Sequence, residues 1–417
     1  MAAMGDEIQF KGYEQQQGQL FPGHLRDALD PSDPVFFIDD AVESLDLSEF
    51  ERRYAVMGER AYPPRMLLKL WLFGATAGVY SGRELARRVH WDLRFRYLAG
   101  ELRPDFRTIN RFRTRHREEF AELFRQTVQL ARRAGLGRLG LVAIDGTKIR
   151  ANTSRHKAMS HGRMVAEEAR LEAEIGEILA RMDAVEAAED QEHGKDDDGS
   201  GGLPGELQDR ETRREKLRRV REQLEAEKGA KLESKNQKSF ADPDAQMMKT
   251  GDGAMQYAYN AQAAVSEDGM IVATGLVAEN NDQGQLVAMV EAVRAATGRK
   301  PVWTLADAGY RSEAGLAALH RRRQRCLVAL GREGKATRGR WPRGRCSRRM
   351  ARLLRLPWAR RLYGLRKTVG ERPFAEIKAA MGFRRFSLRG RANVRGEWDL
   401  VCAAFNLRRL RAALEPA

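Results

Sequence analysis

Two rhythms of apolar and polar positions run along this chain. From Pro63 onward Met66, Leu67, Leu70, Trp71 and Phe73 recur at three- and four-residue spacings, and the Pro63-Pro64 pair suits a helix start. Ser81 and Glu84 have the spacing of a capping box opening a helix through Leu85 and Val89, and Asp105 is placed to cap another carrying Phe106, Ile109 and Phe112. These signals predict a helical domain over residues 36–136. Residues 1–35 ahead of it are polar, with Gln15, Gln16 and Gln17 in a row and Pro22, Pro31 and Pro34 as breakers, and read as a flexible arm.

At Leu141 the rhythm changes. Leu141, Val142, Ala143 and Ile144 form the continuous apolar run of a strand covered on both faces; the run ends on Asp145, and Gly146 is read as the bend of a turn, with Asp145 at the rim of a sheet. Met255 to Val265 and Met270 to Val277 flank Ser266-Glu267-Asp268-Gly269 as a hairpin. A helix near Gln285 to Ala296, a strand Pro301 to Leu305 leading to Asp307, a helix near Glu313 to His320 and a strand Cys326 to Leu330 follow. The basic stretch Arg332 to Arg366 shows little periodicity and reads as a long loop or weak helices over an anionic surface. Glu371 to Met381 and Arg391 to Leu414 are predicted helices, the first turning Phe374, Ile377 and Met381 inward, the second amphipathic through Trp398, Val401, Phe405 and Leu410. Together these predict an α/β domain over residues 137–417.

One stretch interrupts it. Charged helical sequence at Met164 to Glu189 and Leu207 to Lys231, divided by GKDDDGSGGLPG, predicts a helical hairpin inserted over residues 160–235. Its seam is expected to match Leu171, Ile175, Ile178, Leu179 and Met182 with Leu217, Val220 and Leu224. The sheet continues on either side of it, so its ends must lie close, and it is expected to be dispensable for the core.

Composition then narrows the partners. A chain of 417 residues, 42% hydrophobic and 32% charged, buries a sizeable core in two or three domains, and its net charge of +16 favours a polyanion, nucleic acid before membrane phospholipid. No apolar run approaches the roughly 20 residues that span a bilayer, and the N-terminus lacks the blocks of a signal peptide, so a cytosolic, nucleoid-associated protein is expected. Cys326, Cys346 and Cys402 lack metal or disulfide spacing, and the histidines form no metal pair, which leaves carboxylates as the ligands of any metal site. Arg107, Asn110, Arg111, Arg113, Arg115 and Arg117 lie beside the apolar stripe of the third helix, a helix-turn-helix-like layout for phosphates and base edges. The strip RRFSLRGRANVRG reads as a second contact to DNA backbone.

Taken singly, Asp145 and Asp307 read equally well as turn residues before glycine, and Glu371 as a carboxylate favoured by a helix N-terminus. Their order is more telling. A first acidic residue on the first strand, a second after a later strand and a third on a late helix resembles the RNase H-like fold. The phrases AIDGTKI, ADAGY, DPDAQMMKTGDGAMQYAYNAQAAV and ERPFAEIKAAMGFRRFSLRGRANVRGEWDLVCAAFNLRRL resemble bacterial insertion-sequence DDE transposases with a helical N-terminal domain, and the likeness spans nearly the whole chain from Phe36.

The resemblance implies that Asp145, Asp307 and Glu371 form the catalytic, metal-holding triad, with Lys378 the lysine that follows the glutamate and faces DNA. Tyr363 and Arg366 resemble the residues ahead of that glutamate, but their spacing to Glu371 is one residue longer, with Gly370 in the extra place; Lys367 therefore rivals Arg366, and Glu376 is a weaker alternative to Glu371. Three carboxylates at about 4 Å repel by roughly 4 kcal/mol per pair at an effective dielectric of 20. A divalent cation reverses that, and all-oxygen ligands select Mg²⁺ or Mn²⁺, two ions serving in-line attack at a phosphodiester. The implied activity is cleavage at the ends of an insertion sequence and strand transfer into target DNA, by at least a homodimer that pairs two ends of double-stranded DNA. A catalytically inactive, transposase-derived DNA-binding repressor is the alternative, and a plain metal-dependent nuclease a third reading.

Overall fold

A computed structural model describes residues 23–54, 61–154, 158–193, 205–331 and 344–415. The N-terminal third is helical: α1 (Pro34–Glu43), α2 (Ser48–Glu51), α3 (Pro64–Thr76), α4 (Gly82–Trp91), α5 (Leu93–Ala99), α6 (Phe106–Arg115) and α7 (Glu119–Arg133). The caps are those the sequence offers. Ser81 accepts from the Glu84 amide at 3.4 Å and Asp105 from the Arg107 amide at 2.8 Å, so each helix starts where a side-chain oxygen meets an otherwise unpaired N–H. The arm foreseen over residues 1–35 lies outside the described residues up to 22; beyond it Asp33 caps α1, whose Val35, Phe36 and Ile38 are already core.

Among the described residues eight strands follow: β1 (Leu141–Arg150), β2 (Ala158–Ser160), β3 (Gln237–Ser239), β4 (Gln246–Lys249), β5 (Met255–Ser266), β6 (Ile271–Val277), β7 (Trp303–Ala306) and β8 (Arg325–Val328). Six build one mixed sheet in the order β4-β5-β1-β7-β8, with β6 also on β5. β1 is antiparallel to β5, pairing Asp145 with Ala263, and parallel to β7 from Leu141 to Ile144 only. Here the structure corrects the sequence reading. Gly146 makes no turn: β1 runs on to Arg150, with Gly146 opposite Gln262. Asp145 still sits at a rim, because the neighbouring β7 stops at Ala306.

The charged insertion is a helical hairpin, α8 (His161–His193) and α9 (Gly205–Lys228), and the connecting GKDDDGSGGLPG lies, but for its last residue, outside the described residues. Met164, Leu217, Val220 and Leu224 form one apolar cluster of its seam, and Ile175, Ile178 and Leu207 another, whereas Leu179 is 42% exposed. Between the arms Arg221 meets Glu168 and Arg213 meets Glu167, each at 2.7 Å. The two-stranded β2–β3 ladder closes its root, which holds the ends together as expected.

The remaining helices are α10 (Gln285–Thr297), α11 (Glu313–Arg321), α12 (Arg345–Leu353), α13 (Pro357–Ala379) and α14 (Arg391–Leu414). Of the two readings left open for Arg332 to Arg366, loop or weak helices, the helical one holds for much of Arg345 to Arg366, and the helix foreseen from Glu371 begins at Pro357, whose fixed φ suits a first helical position. Nor is α14 simply amphipathic. Its residues Val394 and Gly396 to Leu407 are all buried, wedged between the N-terminal helices and β6. Its polar side chains are each matched: Glu397 with Arg113 at 3.2 Å and with the Ser387 and Leu388 amides, Asp399 with Thr274 at 2.5 Å, and Asn406 with both backbone groups of Ile271.

Arg113 and Glu397 are 3% and 1% exposed, and the Arg113 guanidinium lies 3.8 Å from the centre of the Trp71 ring. Removing one partner strands the other's charge in the interior. We expect Arg113→Met to lower unfolding free energy by roughly 3–5 kcal/mol in urea melts, and Arg113→Met with Glu397→Gln to recover part of that, because the stranded charge is gone and the amide oxygen still accepts from Ser387, while the amide nitrogen is left facing the Leu388 N–H.

Candidate active site

β1 carries Asp145 on the face covered by α13. The close approach there depends on Gly370, where a Cβ would stand 3.3 Å from the Ala143 Cβ and 3.4 Å from the Asp145 Cβ. The residue that lengthens the spacing before Glu371 is thus the one that lets the helix lie on the strand. Asp145 is half-buried, and its Oδ1 accepts from the Gly146 amide at 2.9 Å. Asp307, the first residue beyond β7, turns Oδ1 to the Gly309 amide at 2.8 Å and so caps the short turn Ala308–Tyr310. Glu371 is 54% exposed, one residue beyond the contact made by Gly370.

Arg366 links these groups. Its Nη1 stands 3.7 Å from Asp145 Oδ2 and its Nη2 donates to Glu371 Oε1 at 3.1 Å. Burial works against its charge, but Tyr363, Asp145, Asp307 and Glu371 more than offset that and raise its pKa. Burial pushes the Asp145 carboxyl up to about 6, with Asp307 and Glu371 adding to the rise while the Gly146 amide and Arg366 oppose it. Asp307 and Glu371 are thus felt at Asp145, although among the described residues no three His, Cys, Asp or Glu side chains are drawn together closely enough to hold a metal ion as they stand. A guanidinium bridges two of them instead.

Of the other residues singled out in the sequence, Lys378 reaches back to β1 and donates to Thr147, and burial lowers its pKa, with Arg384 in the same direction. Lys367 is exposed and does not share the carboxylates with Arg366. Glu376 pairs with Arg408 on α14 at 3.2 Å. On α6, Arg107 and Arg111 are exposed, whereas Asn110 is packed against Gly82 of α4 and Arg113 is withdrawn into the core. Arg113 therefore leaves the set of surface cations foreseen on that helix. A cavity of about 860 Å³ lined by Trp303, Cys326, Arg349 and Trp358 opens where α13 begins, and none of the three carboxylates lines it.

Sequence reasoning missed a second polar group behind the site. Asp282, from the loop before α10, accepts from Asn260 Nδ2 at 2.6 Å and Gln262 Nε2 at 2.7 Å, and lies 3.7 Å from Lys148 Nζ. Gln262 in turn accepts from the Tyr310 hydroxyl. An Asp in a run of Asn and Gln carries no periodic signal, and only the ladder of β5 on β1 brings these groups together.

A mixed sheet of the RNase H-like kind with acidic groups along one rim, set behind a helical N-terminal region, is the framework of a DNA transposase. Residues 23–115 match the family described as Transposase domain (DUF772), and residues 213–407 match the Transposase DDE domain. The chain belongs to the insertion-sequence DDE transposases. Asp307 and Glu371 fall inside the second match and Asp145 upstream of it. No curated protein and no solved structure matches the chain. Among the described residues no helix is long and apolar enough to cross a membrane.

The raised Asp145 pKa fixes a pH dependence. A carboxyl whose folded pKa of about 6 exceeds its ordinary value of 3.8 contributes stability that is complete below the lower value and is lost as pH rises through the upper one. Without metal, Asp145→Asn should therefore be more stable than the wild type above pH 6, by up to roughly 3 kcal/mol, and equal to it near pH 4. Thermal melts across that range check this; a difference that does not change with pH would refute it.

Proposed function

We propose that this transposase cleaves DNA at the ends of its insertion sequence and joins the freed ends to target DNA, with Asp145, Asp307 and Glu371 as the carboxylates that hold divalent metal. The observation that carries this is Arg366, a cation shared by Asp145 and Glu371 and further favoured by the charge of Asp307. A site that draws in one cation without hydrogen-bonding it fully suits another of higher charge. The donors are all oxygen, as Mg²⁺ or Mn²⁺ requires, and divalent ions are in general use in this family. When bound, such ions supply activation of the attacking oxygen and stabilisation of the leaving one at a phosphodiester.

The chain's own residues do the rest. The rim of β1 and the turn after β7 hold two carboxylates on the sheet, and α13 brings the third across Gly370. In this reading Arg366, released from Asp145 and Glu371, turns to a phosphate, and Lys378, whose ammonium is held at Thr147, meets the DNA backbone from the same helix. Lys367, exposed beside them, adds a cation along the same path. Arg107 and Arg111 on α6 supply phosphate contacts to the element's end, with Asn110 fixing that helix against α4 beside any base contact it makes. Residues 36–136 then form the end-binding domain, 137–417 the catalytic domain with the hairpin of 160–235 inserted, and two copies pair the two ends.

Asp145→Asn, Asp307→Asn and Glu371→Gln are each expected to lower Mn²⁺-supported nicking of end-bearing DNA by at least about a thousandfold while leaving end binding within about threefold. A variant that still nicks removes its residue from the triad. End binding should also weaken steeply with salt, and Arg107→Ala or Arg111→Ala should each lessen the slope of log affinity against log salt by about one. An unchanged slope would place the DNA elsewhere on the protein.

A further inference from the structure

The group behind the carboxylates has a direction built into it. Asp282 only accepts hydrogen bonds when ionised, and its Oδ1 takes the amide N–H groups of both Asn260 and Gln262. With Gln262 Nε2 committed to Asp282, Gln262 Oε1 must face the other way, and there it receives the hydroxyl of Tyr310. Tyr310 is fully buried and ends the three-residue turn that Asp307 caps. Each bond in the chain from Asp282 to Gln262 to Tyr310 thus fixes the sense of the next.

Two further contacts join this chain to the site. A Cβ at Gly309 would stand 3.0 Å from Asp307 Oδ1 and 3.2 Å from Asp282 Oδ2, so both carboxylates occupy the space that the missing side chain leaves. Asn260 is fully buried, and with its nitrogen given to Asp282 its Oδ1 is left without a partner, 3.0 Å from where a Cβ on Gly146 would stand. An unpaired buried oxygen is destabilising, so the fold tolerates a defect beside Asp145 while keeping both amides on Asp282.

We propose that Asp282 is a positioning residue of the transposase site, setting the aim of the Asp307 carboxylate through Gln262 and Tyr310. This rests on the reading of Asp307 as a metal-holding carboxylate. Without Asp282 the Gln262 amide is free to turn over, the Tyr310 hydroxyl meets an N–H instead of an oxygen, and the turn that presents Asp307 loses its tie to β5. Asp307 keeps its own amide bond to Gly309, so the loss falls on how the carboxylate is aimed.

The test is calorimetric titration of the full-length protein with Mn²⁺, with Asp145→Asn as the control for site binding. Gln262→Glu sets a second carboxylate against Asp282 and is expected to weaken Mn²⁺ by roughly tenfold or more, the usual size of an effect behind the ligands. Adding Asp282→Asn should restore affinity to within about threefold of wild type, because the new amide nitrogen donates to the carboxylate introduced at position 262 and to Asn260, whose amide turns over to bring its unpaired Oδ1 to it, while Tyr310 still donates to residue 262. Tyr310→Phe drops one hydroxyl, keeps the ring, and should weaken Mn²⁺ like the first variant; it decides the matter if Gln262→Glu fails to fold. The proposal is overturned if folded Gln262→Glu and Tyr310→Phe bind Mn²⁺ as the wild type does, or if the double variant stays as weak as Gln262→Glu. Equal Mn²⁺ uptake by wild type and Asp145→Asn would instead overturn the reading of the carboxylates themselves.

Discussion

A helix enclosed on every side can keep a polar residue only if the surrounding elements bring it a partner. α14 is that helix, and Glu397, Asp399 and Asn406 are met from two sides: Glu397 by Arg113 of the N-terminal helices, Asp399 by Thr274 of β6 and Asn406 by the backbone of Ile271 at the start of the same strand. Mispacking of either layer would leave a charge or an amide unmatched in the interior, with a penalty larger than that of an imperfect apolar contact. The helical region and the sheet are therefore fixed to each other through α14. Glu397 also accepts from the Ser387 and Leu388 amides, which ties the segment after α13 to the same point.

From that frame the site follows as a matter of lengths. β7 stops one residue short of Asp307 while its neighbour β1 runs on, so the two aspartates stand near the place where the parallel ladder ends. α13 starts beside Trp303, where Trp358 packs against it with ring centres 5.5 Å apart, and crosses the sheet to reach β1 at Gly370. Asp307 and Glu371 are felt at Asp145 because these three elements end, or touch, near one rim.

What could be read from the sequence follows from which signals are local. Ser81 and Asp105 announce their helices because a cap is made within three residues, and the β5–β6 hairpin announces itself through two strand-like runs on either side of a tight turn. The strand ahead of Asp145 was legible for the same reason, whereas Asp145, Asp307 and Glu371 stood out only through the family resemblance. Gly146 misled because a glycine that admits Gln262 from the next strand looks, in sequence, like one that bends the chain. The first half of α13 was hidden by its arginines, and Arg113 was misplaced because nothing local shows that its guanidinium lies on Trp71. Asp282 gave no sign at all, since its partners come from β5 and from β1, far away in the chain.

The inserted hairpin has a bearing on how fast the sheet can assemble. β1 must find β5 across the whole insertion, Arg150 pairing with Ala258, and closing so long a loop through a disordered chain would slow folding. Helices close by local contacts within microseconds, long before strands distant in sequence can meet. With α8 and α9 already side by side and β2 on β3 at their root, the open span between β1 and β5 shrinks to the few residues on either side of the root. A segment outside the chemistry thus acts as a splint, turning a slow, distant strand pairing into a near one.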